Sequence, residues 1–149
     1  MKFRPSIFHF LGGKCALPKL PSLVQTDGSF TQRRGRIAIL LNHQSNLYTK
    51  VQTIQNPKDS YEMEWASVYH GLLFTIQKDI QNICIENDNQ GVVSNLISGQ
   101  TKRNHKSFVN DYREAIYDLA KQTEWTGIRW IPRAYNRADD LFHSKKTKQ

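Results

Sequence analysis

Three strands follow one another in residues 22–54, whose sequence is SLVQTDGSFTQRRGRIAILLNHQSNLYTKVQTI. The first is predicted from Ser22 to Thr31, and it ends in a turn at Thr26-Asp27-Gly28-Ser29. The second, Arg36 to Asn42, has an apolar centre and is therefore expected to be buried on both faces. The third, Leu47 to Ile54, alternates between its two faces. This order predicts an antiparallel meander.

Helices and two further strands are predicted after the meander. Asp59 caps a long amphipathic helix that extends to Lys78, with Glu62 at capping-box spacing. Apolar periodicity then predicts a strand at 83–85, helices at 92–97 and 107–123, a strand at 127–132 and a short helix at 136–143. The order βββ-α-β-α-α-β-α predicts an α/β fold. Its five-stranded mixed sheet, with three antiparallel and two parallel strands, is flanked by helices.

Length and charge limit the class of protein. The chain has 149 residues and a formal net charge of +8, which favours one compact domain with a polyanionic partner such as nucleic acid. Residues 22–146 are predicted to form this domain, and residues 1–21 a basic N-terminal extension. The extension is interpreted as a tail that lies on the domain, a partner-binding segment or an organelle-targeting peptide.

Cysteine content and hydropathy predict an intracellular, cytoplasmic protein without a membrane partner. Cys15 and Cys84 are too few for a disulfide framework, and neither has the spacing of a zinc ligand. No apolar segment approaches the roughly 20 residues that cross a bilayer. Organellar targeting through residues 1–21 is kept as an alternative location.

Carboxylates stand at the ends of predicted strands and near the starts of predicted helices. Asp27 and Asp88 would emerge side by side, because the first and fourth strands are expected to be parallel neighbours. Glu64 lies early in the long helix, and Asp139 with Asp140 begins the last one. Convergence of such groups requires a cation, and Mg²⁺ suits a few carboxylates together with substrate phosphate. Each residue also has a structural interpretation, as a turn former, a solvated helix residue or a cap.

Four motifs, in order along the chain, are similar to those of the ribonuclease H family. They are TDGS at 26–29 followed by Gly35, Glu64-x-x-Ser67-x-x-x-Gly71-Leu72, IENDN at 85–89, and WIPR at 130–133 with Asn136 and ADDL at 138–141. The match covers residues 23 to about 143 and resembles the type 1 branch. The resemblance implies hydrolysis of the RNA strand of RNA/DNA hybrids by a two-metal mechanism, with Mg²⁺ or alternatively Mn²⁺.

The resemblance also assigns roles to single residues. Asp88 would lie near the attacking water, and Glu64 near the ribose 2′-hydroxyl that distinguishes RNA from DNA. Four carboxylates would bind the metals and act in catalysis: Asp27, Glu64, Asp88 and Asp139. Nucleic-acid contacts are expected from the cluster's neighbours and from a basic loop: Gly28, Ser29, Asn89, Lys102, Arg103, Arg133 and Asn136.

Several positions depart from the family pattern. Asp140 is an alternative to Asp139, because the spacing from Asn136 is one residue shorter than usual. Asn89 stands where the family has serine. Arg133 occupies the loop in which many members carry a histidine, so the rate or its pH dependence is expected to differ.

The segment between the second and third helices is too short for the basic helical handle of some members. Its residues Lys102 and Arg103 are candidates for phosphate contacts, with a solvated charge run as the alternative. Two histidines, His70 and His143, are interpreted as structural.

Two other functions are compatible with the same residues. A catalytically weak or inactive module that docks nucleic acid or protein in a larger assembly is suggested by the extension, by Asn89 and by the irregular last motif. The extension would then contact a protein partner. A DNA-directed nuclease is the second alternative, because the same carboxylates serve that chemistry.

Overall fold

Six strands form one mixed sheet in the computed structural model of the protein, which describes residues 7–15, 17–99 and 106–143. Their order across the sheet is β1-β6-β5-β2-β3-β4, in which β2, β5 and β6 are parallel and the other neighbours antiparallel. The predicted α/β fold is confirmed, with six strands in place of five. The strands are β1 His9–Gly12, β2 Ser22–Thr31, β3 Arg34–His43, β4 Asn46–Ile54, β5 Asn82–Asn87 and β6 Trp125–Trp130.

The additional strand comes from the segment predicted to be an extension. β1 pairs antiparallel with β6, and the amides of Lys14 and Cys15 donate to the carbonyls of Thr123 and Glu124 at 3.1 and 2.8 Å. The strand ends at Gly12. Residues 9–15 therefore lie on the domain. The boundary at residue 22 stays a prediction, and residues 1–6 and 16 lie outside the described part of the chain.

Helices pack against the sheet in the described part of the chain. The described residues contain α1 Ser60–Ile76, α2 Gln90–Ser98, α3 Phe108–Lys121 and two 3-10 helices at Arg133–Tyr135 and Arg137–His143. The predicted final helix is thus of the 3-10 type. None of the helices in the described ranges has the length and apolarity needed to span a bilayer.

Capping fixes where α1 begins. Asp59 Oδ1 accepts a hydrogen bond from the amide of Glu62 at 2.8 Å, as the capping-box spacing predicts. The Glu62 carboxylate accepts from the amide of Lys58 at 2.7 Å, one residue before the cap. The apolar side of the helix, including Met63 and Leu72, is fully buried in the core against the sheet.

The TDGS segment lies within a strand and does not form a turn. β2 and β3 pair continuously from Leu23 with Asn42 to Thr31 with Arg34. The turn follows at Gln32 and Arg33, whose φ angles are 54° and 62°. Because β5 pairs with β2 only as far as Thr26, Asp27 is the first β2 residue beyond the parallel pairs. It lies at the carboxyl edge of the sheet, where open α/β folds bind ligands.

Candidate active site

Three carboxylates from separate elements converge at this edge. Asp27 lies on β2, Glu64 near the start of α1 and Asp88 directly after β5. Each offers a carboxylate oxygen within 4.8 Å of those of the other two. Asp27 is 5% exposed, and the other two are half-buried. The predicted proximity of these residues, which lie far apart in the sequence, is what the structure shows.

Gly28 brings α1 close enough for Glu64 to reach Asp27. A Cβ atom added at Gly28 would lie 2.3 Å from the backbone carbonyl carbon of Met63, so no side chain fits between β2 and α1. The amide of Gly28 also donates to Glu64 Oε1 at 3.3 Å. Gly28 is therefore required for close packing, and its role does not depend on a turn conformation.

Asp88 is positioned through its neighbours on both sides. Asn87 Nδ2 donates to the carbonyl and hydroxyl oxygens of Thr26 at 3.1 and 3.0 Å, which ties the end of β5 to β2. Trp130 Nε1 donates to the carbonyl of Asp88 at 3.0 Å. The side chain of Asn89 caps α2, with Oδ1 accepting from the amide of Val92 at 3.0 Å. The backbone on either side of Asp88 is thus held.

A loop that is fastened to β2 carries Asp139 to the cluster. Asn136 is 3% exposed, and its Nδ2 donates to the carbonyl of Thr26 at 2.9 Å. Its Oδ1 accepts from the amide of Ala138 at 3.1 Å, which fixes the start of the second 3-10 helix. Asp139 lines the same cavity as the three carboxylates, whereas Asp140 is exposed and does not line it. The geometry thus favours Asp139 over Asp140.

Gln25, which directly precedes Thr26 on β2, also bonds this loop. Its Nε2 donates to Glu86 Oε1 at 2.8 Å and to the carbonyl of Tyr135 at 3.2 Å. Its Oε1 accepts from the amide of Arg137 at 2.9 Å. Glu86 is ion-paired with Arg129 on β6. One buried amide therefore bonds on both sides of Asn136 and is itself fixed by an ion pair.

The cluster concentrates negative charge in a partly desolvated place. Burial, followed by the charges of Glu64 and Asp88, raises the pKa of Asp27 to about 9. Burial and then the Asp88 charge raise the pKa of Glu64 to about 8. Burial also raises the pKa of Asp88, while Asn136 and Arg133 act in the opposite direction. These carboxylates favour a proton or another cation between them.

The donor set fits a hard divalent cation. All the candidate ligands are carboxylate oxygens, which Mg²⁺ and Mn²⁺ prefer, and the cluster contains neither the thiolates nor the imidazoles typical of zinc sites. A bound cation would also relieve the mutual repulsion that raises these pKa values. Asp27, Glu64 and Asp88 would hold it, with Asp139 beside them.

The carboxylates line an open cavity of about 500 Å³. Sequence interpretation missed five of its lining residues: Phe30, Thr31, Arg36, Phe142 and His143. His143 Nε2 lies 3.9 Å from Asp139 Oδ1, so this histidine, which was expected to be structural, faces the site. Its position four residues after Asp139 was the available signal, because one helical turn brings such residues together.

The predicted nucleic-acid contacts are distributed unevenly. Gly28, Ser29 and Arg133 line the cavity, and Arg133 Nη2 lies 3.9 Å from Asp139 Oδ1. Asn89 and Asn136 bond within the protein as described above, and their nucleic-acid contacts stay predictions. Lys102 and Arg103 lie outside the described residues.

A family model described as reverse transcriptase-like matches residues 25–144. The chain belongs to this family. The match covers the four carboxylates and the loop that carries Asp139, and together with the fold it identifies a ribonuclease H-type domain. A comparison of the sequence with curated proteins finds no match.

Solved ribonuclease H structures share the fold of this ribonuclease H-type domain. Ribonuclease H1 from Halobacterium salinarum is 18% identical, with a TM-score of 0.73 over 81% of this chain and 93% of that one. The N-terminal RNase H domain of a Mycobacterium tuberculosis protein is 20% identical, with a TM-score of 0.71 over 83% and 91%. A ribonuclease H1 isolated from compost by a metagenomic approach, solved in complex with an RNA/DNA hybrid, is 15% identical, with a TM-score of 0.68 over 80% and 92%.

Proposed function

We propose that this domain is a metal-dependent endonuclease that hydrolyses the RNA strand of RNA/DNA hybrids. The observation that carries the proposal is the convergence of Asp27, Glu64 and Asp88 within 4.8 Å at the carboxyl edge of a ribonuclease H-type sheet. The net charge of +8 supports a polyanionic substrate. A protein with the same fold has been solved in complex with an RNA/DNA hybrid.

The proposal assigns the metal ligands to Asp27, Glu64, Asp88 and Asp139. Two Mg²⁺ or Mn²⁺ ions bound there would supply an activated water and neutralise the charge that develops on the phosphate and the leaving oxygen. The chain itself orients the ligands: the Gly28 amide bonds Glu64, and Asn87, which precedes Asp88, bonds Thr26. Gln25 and Asn136 hold the backbone that carries Asp139.

The reaction breaks one phosphodiester bond of the RNA strand. Asp88 orients the water that attacks phosphorus, the bond from phosphorus to O3′ breaks, and the products carry a 3′-hydroxyl and a 5′-phosphate. Glu64 contacts the ribose 2′-hydroxyl and so selects RNA over DNA. Arg133, at 3.9 Å from Asp139, is exposed and available to the phosphate.

A cleavage assay with matched variants tests this proposal. Wild-type protein, Asp88→Asn and Asp140→Asn are incubated in Mg²⁺ with end-labelled RNA/DNA hybrid, duplex RNA and duplex DNA. We expect cleavage of the RNA strand of the hybrid alone, its loss in Asp88→Asn, and near-normal rates in Asp140→Asn, whose carboxylate is exposed outside the cavity. Addition of a chelator should stop the reaction.

Other results would contradict the proposal. Cleavage retained by Asp88→Asn would remove the metal assignment, and preferred cleavage of duplex DNA would favour a DNA-directed nuclease. Binding of the hybrid without turnover in Mg²⁺ or Mn²⁺ would favour the docking module.

One observation supports docking to a protein in addition to catalysis. Three apolar side chains of the N-terminal segment are strongly exposed: Ile7, Leu17 and Leu20, at 78%, 76% and 97%. Substitution of all three side chains by serine, followed by size-exclusion chromatography of cell extracts, tests whether this segment holds the domain in a larger assembly.

A further inference from the structure

Arg36 lies on the opposite side of Asp27 from Asp88. The sheet order places β5 on one side of β2 and β3 on the other. Arg36 on β3 pairs with Ser29 on β2, two residues beyond Asp27 and past the end of β5. Both Arg36 and Ser29 line the cavity that contains the carboxylates. The cavity is thus flanked by Arg133 after β6 and by Arg36 on β3.

Phe142 fixes the guanidinium of Arg36 without using its hydrogen-bond donors. The Arg36 Cζ atom lies 5.1 Å from the centroid of the Phe142 ring, which belongs to the second 3-10 helix. Stacking on an aromatic face orients the planar group and leaves its N–H groups free at the edge. Phe142 also lines the cavity.

The guanidinium has no polar partner within the described residues. Neither a hydrogen bond nor an ion pair joins its side chain to residues 7–15, 17–99 or 106–143, although carboxylates line the same cavity. By contrast, Arg113 bonds Asn95 and Asn110, and Arg129 bonds Glu86. Arg36 therefore presents up to five donors to a ligand, and their fork matches the geometry of a phosphate group.

We propose that Arg36, stacked on Phe142, binds a backbone phosphate of the cleaved strand next to the phosphate that lies at the carboxylates. The inference rests on the proposed function and deepens it. This contact would fix which phosphate of the RNA strand lies at the carboxylates, because phosphate contacts position a nucleic acid independently of its sequence. Ser29, opposite Arg36, is placed to donate its hydroxyl to the same phosphate.

Binding measurements test the contact separately from catalysis. All variants carry Asp88→Asn, and affinity for an RNA/DNA hybrid is measured by fluorescence anisotropy over a series of salt concentrations. Arg36→Ala should bind about tenfold more weakly, because a charge-assisted pair is lost. The slope of log affinity against log salt concentration should decrease in magnitude by about one, as expected for the loss of one phosphate contact.

The control removes one positive charge elsewhere. Lys121→Ala changes the net charge equally, at the end of α3 next to the start of β6 and far from the carboxyl edge. We expect it to leave affinity and salt dependence unchanged. If Arg36→Ala and Lys121→Ala change affinity and salt dependence equally, Arg36 contributes only through the net charge of the protein, and the proposal is overturned.

A chemical probe locates the phosphate. The RNA strand is a DNA chimera with a short ribonucleotide stretch that fixes the cleavage position, and single linkages are replaced in turn by uncharged methylphosphonate. One methylphosphonate beside the cleavage position should weaken binding by the protein that has Arg36. The same methylphosphonate should not weaken binding by the Arg36→Ala protein any further. Identical sensitivity of both proteins at every linkage would overturn the proposal.

Two further variants keep the proposal testable if Arg36→Ala fails to fold. Arg36→Lys keeps the charge but loses the fork, so affinity should fall while the salt dependence stays the same, and unchanged affinity would contradict the proposal. Phe142→Leu should weaken binding only when Arg36 is present, since the two act as a unit. Failure of wild-type protein to cleave the hybrid would remove the proposed function, whereas these binding results concern Arg36 alone.

Discussion

The buried amide of Gln25 donates a hydrogen bond to Glu86 Oε1 at 2.8 Å. The same amide accepts from the backbone of Arg137 at 2.9 Å, two residues before Asp139. A residue in the centre of the sheet is thereby bonded to the loop that completes the carboxylate cluster. The relationship explains how a short 3-10 helix can hold Asp139 in place.

Substitution of Gln25 by leucine should lower both stability and turnover. Glu86 would lose a buried donor, and the amide of Arg137 would lose its acceptor, so we expect the free energy of unfolding to fall by about 1–3 kcal/mol. Turnover should fall more than affinity for the hybrid, because Asp139 is displaced while the phosphate contacts remain. Chemical denaturation and steady-state cleavage measure the two effects.

Gln122→Leu is the matched control for that experiment. Gln122 is exposed at the end of α3 and takes no part in the loop network. A Gln25→Leu protein with wild-type kcat would show that the loop does not depend on this amide.

Substitution of Gly28 by alanine should push α1 away from β2. The new Cβ would lie 2.3 Å from the carbonyl carbon of Met63, and backbone atoms cannot yield as a flexible side chain does. We expect a loss of about 1–3 kcal/mol in the free energy of unfolding, typical of overpacking, together with weaker Mn²⁺ binding. Gly91→Ala, whose nearest neighbour would be Asn89 Oδ1 at 3.2 Å, is the control expected to change both little.

The carboxylate cluster should make the metal-free protein less stable as pH rises. The pKa of Asp27 is raised from 3.8 to about 9, and that of Glu64 from 4.5 to about 8. Between these limits the folded protein binds more protons than the unfolded chain. The contribution of Asp27 and Glu64 to the free energy of unfolding is fully present below about pH 4 and is lost as pH rises toward about 9.

Thermal unfolding in chelator over pH 5 to 9 checks this dependence. Asp27→Asn should resemble wild type at low pH and exceed its melting temperature increasingly at high pH, whereas the exposed Asp118→Asn should follow wild type throughout. Mg²⁺ should stabilise wild type most at high pH. A difference between Asp27→Asn and wild type that shrinks with pH would refute the assignment.

Substitutions of the two adjacent carboxylates of the last motif should affect cleavage of the hybrid very differently. Asp139 lines the cavity and Asp140 does not, so Asp139→Asn should reduce hybrid cleavage by about a hundredfold or more, while Asp140→Asn should change it little. Single-turnover cleavage rates at saturating protein make the comparison. The opposite order would assign the role to Asp140.

The sequence predicted the convergence of the carboxylates for a simple physical reason. Asp27 and Asp88 follow parallel neighbouring strands, whose carboxyl ends share one edge, and Glu64 lies on the helix that crosses over them. Those relationships depend on strand order alone. The predicted order of elements and the resemblance of the four motifs together placed these residues near one another.

Other features depend on tertiary contacts that no local pattern encodes. Gly28 resembled a turn glycine, but its small size serves the approach of α1 to β2. β1 forms only because the free edge of β6 is available to a short segment without strong periodicity. Arg36 and Phe142 are distant in the sequence and come together only in the folded protein, so no local sequence pattern predicts their contact.

Electron paramagnetic resonance counts the Mn²⁺ ions that the carboxylate cluster binds when hybrid is present. We expect saturable binding of two ions per wild-type chain, fewer in Asp27→Asn, and an unchanged count in Asp118→Asn. Absence of saturable binding in wild type, or equal counts in wild type and Asp27→Asn, would contradict the metal assignment.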